Sequence, residues 1–328
     1  MKKALYWEAK EEGKVKCLLC PHGCVIPPGG KGLCRVRENV NGALYATSYS
    51  RVASIALDPI EKKPLYHFHP GSAILSVGTV GCNMRCQFCQ NYTLSQTDVP
   101  TEYLSPERLL DLITQVEDNI GIAFTYNEPL IWYEYIYDTA RLIKAKDPNI
   151  AVVLVSNGYI NPEPLAGLLP YVDAMNIDLK TFNDDTYRRL SGARLEPVLE
   201  TIRRAAAKCH VEVTTLVIPE ENDTPEEIGK LASWLAAINT NIPLHLSRYH
   251  PAYKFSRLPT PATTLLALQK EACRHLNYVY IGNLPRVDQG TYCPECGRKV
   301  IDRDYYEAKV LVTRPECPGC AASLPLIL

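Results

Sequence analysis

From Ser72 to Gly282 short apolar runs alternate with amphipathic stretches, and no other feature constrains the fold of the chain as much. AILSVGTVG, IAFTYNEP, AVVLVSNG, AMNIDLK, VEVTTLVIPE and PLHLSRYHP read as six strands, with YVYIG as a candidate seventh. Helical patterns intervene: RLLDLITQVEDN behind a Ser105-Pro106-Glu107 cap, Leu130 to Lys146, Glu196 to Lys208, Pro225 to Ala237 and Thr263 to Arg274. Strands apolar on both faces and separated by helices predict parallel βα units, because helices must cover both sides of such a sheet. The expectation is an α/β chain built on a partial TIM-type (β/α)6 barrel over residues 72–285.

No GxGxxG follows the first run, so a dinucleotide-binding fold has no support. Polar chemistry instead recurs where the strands end. Cys82 follows the first, Asn127 and Glu128 the second, Ser156 and Asn157 the third, Asp178 and Lys180 the fourth, and His250 the sixth. In a parallel barrel those ends form the active-site face.

The 13 cysteines fall into groups. Cys82, Cys86 and Cys89 have the spacing C-x3-C-x2-C, which wraps three thiolates around one metal centre. Structural zinc closes with four ligands, whereas three leave a position open. Cys17, Cys20, Cys24 and Cys34 lie in a Pro- and Gly-rich knuckle that suits a closed four-sulfur site for zinc or iron, with His22 as a substitute ligand and buried loop cysteines as the plainer reading. Cys293, Cys296, Cys317 and Cys320 have zinc-ribbon spacing, with Gly297 in the turn; zinc or iron remains open there too. Basic and acidic residues interleave between its knuckles, which favours a structural or partner-docking role over nucleic-acid binding. Cys209 and Cys273 read as core residues. His67 and His69 read as hydrogen-bonded or surface groups rather than ligands, within an extended connector that follows a strand-like Leu44 to Ser50. The divisions are therefore a Cys-rich module and connector at 1–71, a barrel at 72–285 and a ribbon-like module at 286–328.

A formal charge of -1 provides no field to collect nucleic acid or an anionic membrane. No apolar run reaches transmembrane length and the N-terminus does not read as a secretory signal, so the expected location is the cytoplasm, where clustered cysteines bind metals rather than pair.

GCNMRCQFC, with an aromatic residue before the third cysteine, resembles the cluster loop of radical S-adenosylmethionine (SAM) enzymes. Across Ser72 to Gly282 the order of motifs is similar to the pyruvate formate-lyase activating enzymes. CLLCPHGCVIPPGGKGLCRVREN, RVASIALDPIEKKPLYHFHPGS, GTVGCNMRCQFCQN and RYHPAYKF together resemble the radical enzyme of the AmmeMemoRadiSam system, over nearly the whole chain.

The resemblance implies a [4Fe-4S] cluster on Cys82, Cys86 and Cys89, with SAM bound at the fourth iron and cleaved to a 5'-deoxyadenosyl radical. It implies that Glu128 takes the place of the family's Gly-Gly-Glu carboxylate, with Tyr126 and Asn127 standing for the glycines; a helix N-terminal charge before Pro129 is the alternative. Ser156 and Asn157 match a ribose and methionine-carboxylate position, and Asp178 and Lys180 match a segment lining the same pocket, where an ordinary ion pair is the alternative. His250 resembles an adenine-side residue, Phe88 covers the cluster, and an arginine of the activating enzymes is replaced near Thr214. The implied partners are an electron donor such as flavodoxin or ferredoxin and Memo-like proteins, and the substrate is a protein, peptide or small molecule. A zinc-rich ligand-binding scaffold without radical chemistry is the competing function.

Overall fold

The computed structural model describes residues 1–328. One sheet of eight strands organises it: β1 (Ser54–Pro59), β2 (Ala73–Gly78), β3 (Asn119–Phe124), β4 (Ala151–Ser156), β5 (Ala174–Asp178), β6 (His210–Val217), β7 (Leu244–Arg248) and β8 (Val279–Gly282). β2 to β8 are parallel and lie side by side in chain order, while β1 pairs antiparallel with β2 at the edge. Sequential parallel order requires repeated crossovers of one hand, so all seven carboxyl ends reach one rim. The two edge strands do not pair, and the barrel is open.

The helices on the outside are α1 (Pro106–Gln115), α2 (Tyr133–Lys146), α3 (Pro162–Leu168), α4 (Asp184–Ser191), α5 (Leu195–Ala206), α6 (Pro225–Ile238) and α7 (Ala262–Ala272). Local chemistry sets their ends. Ser105 Oγ accepts from the Arg108 amide (3.2 Å), and Thr224 caps α6 in the same way on Glu227 (3.2 Å). Buried Leu109 and Ile113 on α1, and Val198, Ile202 and Ala205 on α5, recur at helical spacing and face the sheet.

Several features differ from the sequence reading, among them two helices it did not name, α3 and α4, and Cys209, which is half-buried rather than core. The parallel strands number seven, because Val279–Gly282 does pair with β7, His245 opposite Tyr280. The connector contains β1; its Ile55 and Leu57 are exposed at a sheet edge, so no buried apolar run announced it. The helix expected from Leu130 starts as a 3-10 turn, Pro129–Trp132, before α2 begins at Tyr133. Cys273 is exposed rather than core, since α7 buries Leu265, Leu268 and Ala272 and the next residue turns outward.

Both terminal segments are fastened to the barrel. The N-terminal part forms two small antiparallel sheets, with strands Lys2–Lys3, Arg37–Val40 and Ala43–Ala46 in one and Trp7–Ala9, Val15–Cys17 and Val25–Ile26 in the other. Arg37 is buried and pairs with buried Glu134 of α2 (3.0 Å), which also accepts from the Leu5 amide (2.8 Å). At the amino end of the barrel, Glu212 on β6 accepts from the His67 amide (2.7 Å) and lies 2.6 Å from His245 Nε2. His67 Nε2 meets the Tyr280 hydroxyl (2.7 Å), which meets Thr291 (2.9 Å), to which Arg303 donates (2.6 Å). Burial pushes His67 down to about 3, so the ring is neutral at physiological pH. Connector and C-terminal segment together stopper the amino end with a buried hydrogen-bonded network and leave the opposite rim for chemistry.

Candidate functional site

At the carboxyl rim, the loop after β2 carries Cys82, Cys86 and Cys89, all partly buried and unpaired. Gly81 starts its turn at φ +86, and a Cβ there would stand 2.4 Å from the Cys34 carbonyl oxygen, so only glycine lets the two cysteine loops touch. Asn127 uses its whole amide on this loop, donating to the Gly81 carbonyl (2.8 Å) and accepting from the Thr79 amide (3.2 Å). Tyr126 adopts φ +72, the left-handed conformation that glycine takes freely. For tyrosine this costs about 1–3 kcal/mol, held by its hydroxyl on Asp58 (2.6 Å) and by Asn91, which donates to its carbonyl (2.6 Å). Of the two residues standing for the glycines, Tyr126 takes the left-handed conformation and Asn127 does not.

Glu128 is buried and caps the 3-10 turn. Its carboxylate accepts from the Leu130 amide (2.9 Å), the Ser156 hydroxyl (2.7 Å) and the Asn157 amide (2.8 Å). Burial pushes its pKa up to about 7, against the lowering effect of those three donors. The helix-capping role weighed for Glu128 is therefore present in the geometry, and the carboxylate also braces the turn after β4. Asn157 in that turn donates to Asn83 Oδ1 (2.9 Å) and points the same amide at Cys82 Sγ (3.7 Å). The Met84 amide donates to Cys82 Sγ (3.3 Å), and Cys89 Sγ lies 3.2 Å from Ser95 Oγ.

Asp178 and Lys180 form an ion pair (2.7 Å) at the end of β5. Burial works against the Lys180 charge, but Asp178 and Cys86 outweigh it and hold the ammonium above its usual range. Burial pushes the Cys86 thiol up to about 12, against the lowering effect of Lys180. Phe88 is buried with Leu190, Ile218 and Tyr249, and Cys86 packs at the margin of that cluster. His250, beyond β7, is exposed. Thr214 bonds to Asn176 (2.9 Å) inside the barrel, and no arginine lies on β6.

The structure thus brings Asn127, Glu128, Ser156 and Asn157 together around Cys82, with Asp178 and Lys180 near Cys86, and leaves His250 at the surface. Thr79, Asn83, Asn91 and Ser95 also hold the loop, and sequence reasoning missed them. Asn83 sits inside the C-x3-C interval and is the one a reader of the motif could have found.

The ribbon-like cysteines converge separately. Cys293 and Cys320 sulfurs are 3.6 Å apart, Cys296 and Cys317 3.5 Å, and all four lie within 4.8 Å of one another. Gly297 takes φ +71 and donates to the Cys293 carbonyl (2.9 Å), closing the knuckle turn. The Gly319 amide donates to Cys317 Sγ (3.4 Å) and lowers that thiol.

The Radical SAM superfamily model matches residues 76–235. Uncharacterized protein MJ0808 of Methanocaldococcus jannaschii is 40% identical over 339 residues, covering 100% of each chain. Pyruvate formate-lyase-activating enzyme of Clostridium pasteurianum is 26% identical over 178 residues, 52% of this chain and 72% of that enzyme. The crystal structure of Streptococcus suis SuiB bound to S-adenosylmethionine aligns with a TM-score of 0.52 at 13% identity, over 69% of this chain and 53% of that one, a likeness of fold. The chain belongs to the radical SAM superfamily and is related to the pyruvate formate-lyase activating enzymes.

Proposed function

We propose that this protein is a radical SAM enzyme in which Cys82, Cys86 and Cys89 hold a [4Fe-4S] cluster with one iron open to S-adenosylmethionine. The observation that carries the reading is the set of three soft donors on one rim loop, tied by Asn127, Asn157 and Asn83 to the ends of β3 and β4. When bound, that group supplies reductive cleavage of SAM to methionine and a 5'-deoxyadenosyl radical, which takes a hydrogen atom from the substrate.

The chain's own residues do the rest. Asn157 and the Met84 amide direct donors at Cys82 Sγ and favour the thiolate. Phe88 and its neighbours keep water from the Cys86 side; a buried phenylalanine contributes about 1.5–3 kcal/mol to holding that wall closed. Lys180, held by Asp178, places a positive charge beside Cys86 and is the candidate partner for the cofactor's carboxylate. Glu128 holds the Ser156-Asn157 turn in place and is the candidate partner for the cofactor's ammonium. His250 is the candidate for the adenine side.

The substrate is a protein, peptide or small molecule, and the resemblance to the AmmeMemoRadiSam branch points to Memo-like partner proteins, with flavodoxin or ferredoxin as the electron donor. Anaerobic reconstitution with iron and sulfide, then dithionite reduction, should release 5'-deoxyadenosine from SAM. Release undiminished in Cys82→Ala would refute the reading.

A further inference from the structure

The chain has three cysteine sets, and they do not share one geometry. A tetrahedral zinc ion with bonds of about 2.3 Å brings its sulfurs to about 3.8 Å from one another. The Cys293, Cys296, Cys317 and Cys320 set meets this, at 3.5 and 3.6 Å. Cys17, Cys20, Cys24 and Cys34 do not: no three of them have sulfurs all within 4.8 Å of one another, although all four line a single cavity. The sulfurs of Cys82, Cys86 and Cys89 likewise do not all lie within 4.8 Å of one another. A [4Fe-4S] cubane binds each thiolate to a different iron, so its sulfurs stand further apart than one ion allows.

The cavity has a second mark. Arg37 lines it and is almost wholly buried, its terminal nitrogens engaged by Glu134 and the Leu5 carbonyl, but its Nε has no partner. A buried cationic donor left unpaired is costly, and a sulfur-bearing anion in the cavity would satisfy it. His22 also lines the cavity, with Nε2 held 2.7 Å from the Asn83 carbonyl. Most of the remaining lining is aliphatic. We infer that Cys17, Cys20, Cys24 and Cys34 hold a second [4Fe-4S] cluster, with Arg37 Nε as a donor to its sulfurs, and that zinc is confined to the C-terminal set.

The second cluster adjoins the first loop. Asn83 lines its cavity and is bonded to Asn157 beside Cys82, and the Cys34 carbonyl abuts Gly81. It is a closed, four-cysteine centre, suited to passing an electron rather than to binding substrate. It does not depend on radical chemistry at the rim.

The test uses the full chain carrying Cys82→Ala, Cys86→Ala and Cys89→Ala, reconstituted anaerobically with iron and sulfide. Iron, acid-labile sulfide and zinc are then counted per chain. The expected result is about four irons and about four sulfides retained, with about one zinc. Background iron with about two zincs would overturn the inference. Should that variant fail to fold, the unmutated protein decides: about eight irons and about one zinc support it, and about four irons with about two zincs overturn it. Iron retained in the triple variant, with no SAM cleavage by the unmutated protein, would refute the radical reading alone.

Discussion

Glu128 offers the most quantitative test of how the rim is built. Its folded value of about 7 lies above its ordinary 4.5, chiefly through burial. Between those values the native carboxyl keeps its proton while the unfolded one has lost it, so the native state binds one more proton. Stability is greatest below the unfolded value and falls as pH rises through the folded one, by about 1.4 kcal/mol per pH unit, about 3 kcal/mol in all. Glu128→Gln removes the titration. Its amide can accept from the Asn157 amide and donate to Ser156 Oγ, but it then leaves the Leu130 amide orphaned, at about 1–3 kcal/mol. In urea unfolding of the protein at pH 5, 6, 7 and 8, Glu128→Gln is therefore expected to be the less stable at pH 5, with a gap that shrinks by about 2.5 kcal/mol by pH 8. A gap constant across that range would refute the account of Glu128 as a carboxyl strained by burial.

Asn157→Ala removes the donor aimed at Cys82 Sγ and leaves Asn83 Oδ1 unpaired; the reduction potential, followed by redox titration, should fall, with a stability loss of about 1–3 kcal/mol. Gly81→Ala drives a Cβ against the Cys34 carbonyl in a left-handed turn, so anaerobic iron content should drop together with stability, by about 1–3 kcal/mol at least. Tyr126→Phe loses the bond to Asp58 while keeping the strained backbone, and should cost about 1.5–3 kcal/mol in urea unfolding. Cys317→Ser should release about one zinc per chain and leave SAM cleavage in place, as judged by metal analysis and 5'-deoxyadenosine yield.

What the chain discloses in sequence is what local spacing controls. C-x3-C-x2-C is a property of eight consecutive residues, and the polar groups at strand ends follow from strand alternation, so the rim was legible before any coordinates. The supports were not. Asp58 reaches Tyr126 and Arg37 reaches Glu134 across 68 and 97 residues, and no short motif records such pairs. The Glu212, His245, Tyr280 and Arg303 network draws on β6, β7, β8 and the C-terminal segment, so each member reads alone as an ordinary polar residue in an apolar run. Cys17 to Cys34 illustrate the boundary: spacing marks four candidate ligands, and it carries no information on how far apart their sulfurs stand in the fold.

The open iron at the rim is tested most directly by electron paramagnetic resonance of the dithionite-reduced protein, with SAM carrying 15N in its amino group and 17O in its carboxylate. Adding SAM should change the spectrum and introduce hyperfine coupling from both labels, and the change should vanish in Cys86→Ala. A reduced-cluster signal that ignores SAM, with no coupling to either label, would contradict a three-cysteine cluster that binds the cofactor through its fourth iron.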